Sequence, residues 1–377
     1  MLLQPTDDQE FFRETTARFL VDRVPADELR RLRDHDHGFE DDYWRQGAEL
    51  GWTSLLVAPE HGGGSISGDG LVDLALVAHE FGAHAAPGPL VPTNIVAAAL
   101  SRSDGHHDLV AALLDGTAVA SWCHTEIGRA DRFDAVALEI RPDGDDVVLT
   151  GQKRPVESAA RATHLLVTGC TGDGLSQVVV PAAHPGISIE PMQTVDLTRR
   201  FSKVTFDSVR VPADAVVGRP GEAAPAVDGQ LRLALAMTNA QSVGAMQTAF
   251  DMTVEWAFDR YSFGRPLASY QALKHRFADM KTWLEAAHAV SDEACAATAA
   301  DAADAGKLSS AAKAFIGDYG TELLQDCVQL HGGIGVTYEH DMHLYLRRVT
   351  VDRTLFGTPA DHRLRLGTAA LREGVAA

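Results

Sequence analysis

Over roughly the first 118 positions, apolar residues recur at helical spacing. Phe11, Phe12, Thr15, Phe19 and Leu20 fall on one face of a first helix, with Asp7 or Asp8 as its N-cap. A glycine-rich loop, Pro59-Glu60-His61-Gly62-Gly63-Gly64, then leads into LVDLALVAHEFG, a second helical pattern. These glycines do not stand between a strand and a helix as a phosphate-cradling loop requires, so they read as a flexible turn that Glu60 caps or closes. From about 119 to 218 the texture changes. The short apolar runs AVASWC, AVALEI, DVVLTG, HLLVTG, SQVVVP, ISIEPM and KVTFDSVRVP alternate with the turns PDGDD, TGDG and HPG. That pattern predicts a small, mostly antiparallel β domain. From about 223 strand signals vanish, and Ala, Leu, Met, Gln and Lys fill long stretches, the first from about 224 to 260. Helices of this length bury their apolar stripes against one another, as in a four-helix bundle, with junctions near Pro266 and Asp304–Lys307. The predicted fold is therefore α+β in three parts. An N-terminal helical domain spans 1–118, a β barrel or sandwich spans 119–222, and a C-terminal four-helix bundle spans 223–377.

Composition narrows the function classes. The chain has 377 residues, 45% of them hydrophobic and 23% charged, which excludes wholesale disorder and fibrous repeats. Its formal charge of −19 repels phosphate backbones and anionic lipid, so the sequence predicts no nucleic-acid and no membrane partner. The opening MLLQPTDDQEFF has no basic segment ahead of an apolar run, which predicts no leader and a cytoplasmic protein. Cys123, Cys170, Cys295 and Cys327 lie far apart and read as reduced, buried thiols. His35, His37, His106 and His107 sit in acidic stretches and read as solvated rather than as metal ligands.

Four segments stand out in order along the chain: PEHGG (59–63), FDSVRVPADAVVG (206–218), RYSFGRPLASYQALKHRFADM (260–280) and QLHGGIG (329–335). Together they resemble the acyl-CoA dehydrogenase family, across essentially the whole chain. The resemblance implies a helical domain, a β domain and a four-helix bundle, with FAD as cofactor and an acyl-CoA thioester as substrate. In that family a carboxylate removes the α proton while the β hydrogen leaves as hydride to the flavin. Each FAD is shared between two subunits. One subunit cradles the ring system, and its neighbour reaches over to hold the pyrophosphate and adenosine.

The match is uneven. The reaching-over set is intact: Arg260, Phe263, Gly264, Gln271, Gln329, Gly332 and Gly333, which the resemblance implies bind the cofactor, together with Thr358 on the other side. A guanidinium at Arg260 suits a pyrophosphate, with Arg265 or Lys274 as helpers. His331 reads as a hydrogen-bonding residue at a helix end. The set around the chain's own flavin is eroded. Phe356, in Leu355-Phe356-Gly357-Thr358, falls on the base position, and the alternative base position falls on Ala234 with Leu235 where an Arg is usual. No catalytic residue is therefore assigned. A loop that touches flavin and substrate appears as Thr125-Glu126-Ile127-Gly128-Arg129-Ala130-Asp131, and a flavin-packing segment appears as Lys153-Arg154-Pro155-Val156-Glu157. A carboxylate at Glu157 would oppose reduced flavin unless it were protonated or paired.

This division resembles the non-base subunit of actinobacterial α2β2 acyl-CoA dehydrogenases, many of which act on steroid side-chain CoA esters. The resemblance implies a sister subunit that carries the catalytic Glu, and an electron-transfer flavoprotein as acceptor. Two other readings stay open. One is a homo-oligomeric flavoenzyme of the same fold with different chemistry, such as a flavin monooxygenase. The other is a non-catalytic scaffold or acyl-CoA-binding protein.

Overall fold

The computed structural model describes residues 5–32, 38–126 and 136–376, with side chains as far as 371. The N-terminal part is helical: α1 (Asp7–Arg23), α2 (Ala26–Arg31), α3 (Asp41–Glu49), α4 (Gly70–Ala83), α5 (Leu90–Ser101) and α6 (His107–Leu114). The first helix is capped by Thr6, not by Asp7 or Asp8. Its hydroxyl accepts from Gln9 N at 3.2 Å, and the Gln9 side chain accepts from Thr6 N at 3.0 Å, a reciprocal capping box. The two aspartates instead lie in the first turn, where they face the positive end of the helix dipole. The buried face is also turned. Gln9, Thr16 and Leu20 point inward while Phe11 is 66% exposed. Two polar anchors set that rotation: Gln9 donates to Asp73 Oδ1 at 2.7 Å, and the Trp52 indole donates to Thr16 Oγ1 at 3.2 Å.

The glycine loop is tighter than a flexible turn. Gly63 N donates to Ala58 O and Gly64 N to Ser54 O, and a Cβ at Gly63 would sit 1.9 Å from Val57 O. Glu60 is exposed and takes no part in closing it among the described residues. His35, His37 and the segment 127–135 lie outside the described residues.

Six of the seven apolar runs lie largely in strands, while AVALEI contributes only Glu139 and Ile140 to a strand that continues into the expected turn at Pro142-Asp143: β1 (Ala120–Cys123), β2 (Glu139–Asp143), β3 (Asp146–Glu157), β4 (His164–Thr171), β5 (Gly174–Pro181), β6 (Ile187–Met192) and β7 (Phe201–Pro212). A short β8 (Val216–Val217) completes one sheet of order β6-β7-β3-β2-β4-β5-β8, with β1 attached to β4. Pairing is antiparallel except where β1 and β2 meet β4 in parallel. Alternating residues such as Leu165, Val167, Val178, Val180, Val204 and Phe206 fill its core.

The remainder is helical: α7 (Ala224–Asp259), α8 (Gln271–Ala299), α9 (Ala305–His331), α10 (Met342–Thr354) and α11 (Pro359–Ala376). A small hairpin, β9 (Tyr261–Ser262) with β10 (Arg265–Pro266), separates α7 from α8. Two shorter helices, α10 and α11, stand in place of a fourth long one. The break falls at Phe356-Gly357, both at positive φ (57° and 99°), which no helix tolerates. The bundle core is built by Met246, Ala249, Met280, Leu284, Leu323 and Leu324. α7 also serves the N-terminal part. Added Cβ atoms at Gly82 and Gly244 would lie 1.8 Å from Gln241 O and 2.0 Å from His79 O, so α4 and α7 cross backbone to backbone. Among the described residues no helix is long and apolar enough to cross a membrane.

Candidate functional site

The motifs singled out in the sequence fall into two places, and the first is one end of the bundle. α7 and α9 end there and α8 begins there, because successive long helices joined by short connections run antiparallel. Phe250 meets Phe277 and Arg276 pairs with Asp326 at 2.5 Å, which ties the three helices together near that end. Arg260 is the C-cap of α7. Its N–H donates to Trp256 O at 2.8 Å, and its carbonyl accepts from Leu267 N at 2.8 Å. The backbone is thereby pinned while the guanidinium stays exposed, without a carboxylate partner among the described residues. The hairpin after it turns through Phe263 and Gly264 at φ 50° and 80°, the left-handed pair that a two-residue hairpin needs. Phe263 is 97% exposed at its tip. Arg265 lies 3.8 Å over the Tyr270 ring, whose hydroxyl donates to Ser262 O at 2.6 Å, and Lys274 is exposed on the first turns of α8.

Gln271 opens α8 and is exposed, with its amide 3.4 Å from His275. Gln329 is exposed in the last turn of α9, and its carbonyl accepts from Gly332 N. Gly332 has φ 65° and ψ −139°, a conformation open essentially to glycine alone. Cβ atoms at Gly332 and Gly333 would meet nothing within 4 Å, so both present bare backbone to open space. The segments around Arg260 and Gln329, far apart in sequence, meet through His331, whose expected local hydrogen bond is present, and Trp256, which the sequence did not single out. Trp256 stacks on His331 at 5.4 Å and 18°, and Arg260 lies 5.8 Å from the Trp256 ring centre. The signal was present in the sequence as Trp256 one helical turn before Arg260.

The second place is the seam between sheet and bundle. Phe356 stacks on Trp122 at 5.8 Å, and Trp122 stacks on His124 at 4.9 Å. Ala234 and Leu235 are buried in the apolar core beside it. Glu157 is gripped by Arg199 through two bonds of 2.7 and 2.6 Å. The same guanidinium binds Asp352, whose other oxygen accepts from Ser242 at 3.3 Å and whose carbonyl accepts from Lys313. Arg348 pairs with Asp196 at 2.7 Å and donates to Ala85 O and Ala86 O. Arg199, Asp352, Arg348 and Asp196 are each no more than 3% exposed in side chain.

Burial raises the Asp196 carboxyl, but Arg348 and Arg199 outweigh it and hold it below the usual range. Burial pushes the Lys313 ammonium down to about 8 despite Asp352. The pairing of Glu157 removes the objection that sequence reading raised to a flavin beside it. That carboxylate is neutralised by Arg199 and does not stand alone.

Glu126 is similarly committed. It accepts from Lys153 Nζ at 2.7 Å and from the backbone of Ala137 and Leu138, and Lys153 leads the groups that hold its carboxyl low against burial. Thr358 lies apart from the bundle end. α10 carries the chain away from that end over 13 residues, roughly 20 Å at 1.5 Å per residue. Thr358 begins α11, donating to Asp361 Oδ2 at 2.7 Å and accepting from Asp361 N at 3.3 Å.

Residues 6–118 match the family described as "Acyl-CoA dehydrogenase, N-terminal domain", and residues 226–371 match "Acyl-CoA dehydrogenase, C-terminal domain". Acyl-CoA dehydrogenase IpdE2 of Mycobacterium tuberculosis is 31% identical over 365 residues, covering 97% of this chain and 98% of that protein. Among solved structures, a variant of the Tcur3481-Tcur3483 steroid ACAD superposes with a TM-score of 0.89 at 28% identity, over 98% of this chain and 99% of the other. Butyryl-CoA dehydrogenase from Megasphaera elsdenii superposes with a TM-score of 0.90 at 21% identity, over 98% and 100%, and shares the fold.

Proposed function

The chain belongs to the acyl-CoA dehydrogenase family, and from that premise we propose that it is the non-base subunit of a heteromeric, FAD-dependent acyl-CoA dehydrogenase. In this reading it completes the cofactor site of a sister subunit and leaves proton abstraction to that sister's Glu. One contrast carries the proposal. The bundle end offers a guanidinium without a carboxylate partner among the described residues, a projecting phenyl ring and bare glycine backbone. The base position holds Phe356, stacked on Trp122.

The residues at the bundle end fit the adenosine diphosphate half of FAD. Arg260 offers a planar fork for a diphosphate. Gly332 and Gly333 let backbone come close, since a Cβ there would otherwise project into the open space. Gln329 and Gln271 supply amide donors, and Phe263 supplies an apolar face. When bound, FAD supplies the acceptor for the hydride that leaves the β carbon. This chain's residues would hold it by its diphosphate and exclude water with the Phe263 hairpin. No described residue at 356 or 234 takes a proton. The substrate class is an acyl-CoA thioester. Kinship with a protein named as a steroid ACAD supports a steroid side-chain ester, and the family supports an electron-transfer flavoprotein as acceptor.

The test is cofactor stoichiometry after co-purification with the second acyl-CoA dehydrogenase subunit from the same genome. Sharing predicts one FAD for each pair of unlike chains. A homo-oligomer with one FAD per chain overturns the proposal. That outcome is the second reading, and a specific observation favours it: Glu157 is paired, so its charge does not bar flavin from the chain's own pocket. A colourless complex would instead leave a scaffold or acyl-CoA-binding role.

A further inference from the structure

Several partly exposed arginines have carboxylate partners: Arg276 has Asp326, Arg353 has Asp318, and Arg30 has Asp27. Arg260 has none among the described residues, although Asp259 and Glu255 are its neighbours in sequence. What it has is an aromatic surface. Its guanidinium carbon is 5.8 Å from the centre of the Trp256 ring. Trp256 is stacked on His331 at 5.4 Å, and His331 meets His340 edge to face at 4.6 Å.

The far side of this column is fixed. His331 is 5% exposed, and its Nδ1–H donates to Cys327 O at 2.8 Å, one turn back on α9. That bond sets the ring plane, and burial lowers the imidazole's proton affinity. His340 is held in turn, since its Nδ1 accepts from Met342 N at 3.1 Å. The Trp256 indole N–H is buried without a hydrogen-bond partner, so no polar contact accounts for its placement. Stacking does.

We infer that Trp256 and His331 are positioning residues, which hold the Arg260 guanidinium over an aromatic face so that its donor edge stays free for a diphosphate. Stacking satisfies the face of a guanidinium and leaves all its in-plane N–H groups available. A carboxylate partner would have consumed two of them. The same column ties the end of α7 to the end of α9, so that Arg260 and the Gly332-Gly333 backbone are set as one unit. His331 thereby gains a role beyond the local hydrogen bond that its place at a helix end suggests. The inference rests on the reading of Arg260 as a diphosphate ligand, and the experiment separates the two.

FAD is titrated into the apo form of the oligomer that retains it, and affinity is read from flavin fluorescence. Arg260→Ala weakens FAD about tenfold or more, as loss of a charge-assisted bond requires. Trp256→Ala and His331→Ala each weaken it about threefold, the size of an exposed cation–π contact, while Trp256→Phe and His331→Phe keep a ring and recover most of the loss. The deciding measurement is the double variant. If Trp256 acts through Arg260, adding Trp256→Ala to Arg260→Ala costs nothing more. Losses that multiply in full, or single aromatic variants without effect, overturn the inference and leave the reading of Arg260 intact. An Arg260→Ala variant that binds FAD as well as the wild type, or a wild-type oligomer that binds none, overturns both.

Discussion

Two places in the fold gather arginines under opposite conditions. At the seam between sheet and bundle, Arg199 and Arg348 are buried; Arg199 is answered by two carboxylates, and Arg348 by one carboxylate and two backbone carbonyls. At the end of the bundle, Arg260 and Arg265 are exposed and lie against aromatic rings rather than acids. Both sets belong to a chain of formal charge −19, where acidic partners are plentiful. The difference is therefore not one of supply. A buried guanidinium must be paired to offset its desolvation. A surface guanidinium carries no such requirement, because water solvates it, and one that lies against a ring keeps its in-plane donors free. The seam joins segments around β3 and β7 to α7, α9 and α10, and it reads as structure. The bundle end is the surface that the proposed function assigns to binding.

The largest expected effect breaks the seam. Arg199→Leu removes the charge that Glu157 and Asp352 share and strands two buried carboxylates. Breaking a buried pair from one side costs about 3–5 kcal/mol, measured by urea unfolding. The matching change at the bundle end, Arg260→Ala, is expected to shift stability by no more than about 0.5 kcal/mol, as at an ordinary surface site. If the two variants lost similar stability, the distinction between a structural and a binding arginine set would collapse.

Acid sharpens the same contrast. His362 is fully buried at the seam, and its Nε2–H donates to Phe356 O at 2.9 Å, which steadies the left-handed turn at 356–357. Burial pushes its pKa from 6.5 down to about 4. Between those values the unfolded chain holds a proton that the folded chain refuses. Stability is whole above pH 6.5 and is lost as pH falls toward 4, by up to about 2–3 kcal/mol for this one group. His362→Gln keeps an amide donor and removes the titration. Its unfolding free energy is expected to fall less steeply than wild type over that window and to differ little at neutral pH. Equal slopes for the two proteins would remove His362 from the seam's acid response.

Much of this was legible in the sequence, for reasons particular elements make plain. Strands such as HLLVTG and SQVVVP are short, continuous β-branched and aliphatic runs bounded by turn residues, so local pattern alone sets them. α7 announced itself by length, since its 36 residues have their one proline in the first turn, where a helix tolerates it, and only two isolated glycines. The first helix misled because its polar anchors are tertiary. Nothing near Gln9 or Thr16 reveals that Asp73 and Trp52 will hold them inward. Glu157 misled for the same reason: its partner Arg199 is 42 residues away. The column through Trp256 and His331 was half visible, as an aromatic one turn from Arg260, but its other half comes from α9.

The smallest expected effect concerns Thr358, which the family resemblance places among cofactor ligands. Its hydroxyl hydrogen goes to Asp361 Oδ2, and the same oxygen accepts from Asp361 N, while Thr358 N also donates to that carboxylate. This is a complete N-cap for α11, with Asp361 near the positive end of the helix dipole. A hydroxyl has one proton to give, so a Thr358 engaged in this way has none for an acceptor on FAD. Thr358→Ala should therefore cost about 1 kcal/mol of stability, the worth of a cap, and Thr358→Ser should restore it. FAD affinity should stay at the wild-type value in both variants. A loss of affinity in Thr358→Ala, recovered in Thr358→Ser without a matching change in stability, would move this residue from the seam's framework to the binding surface.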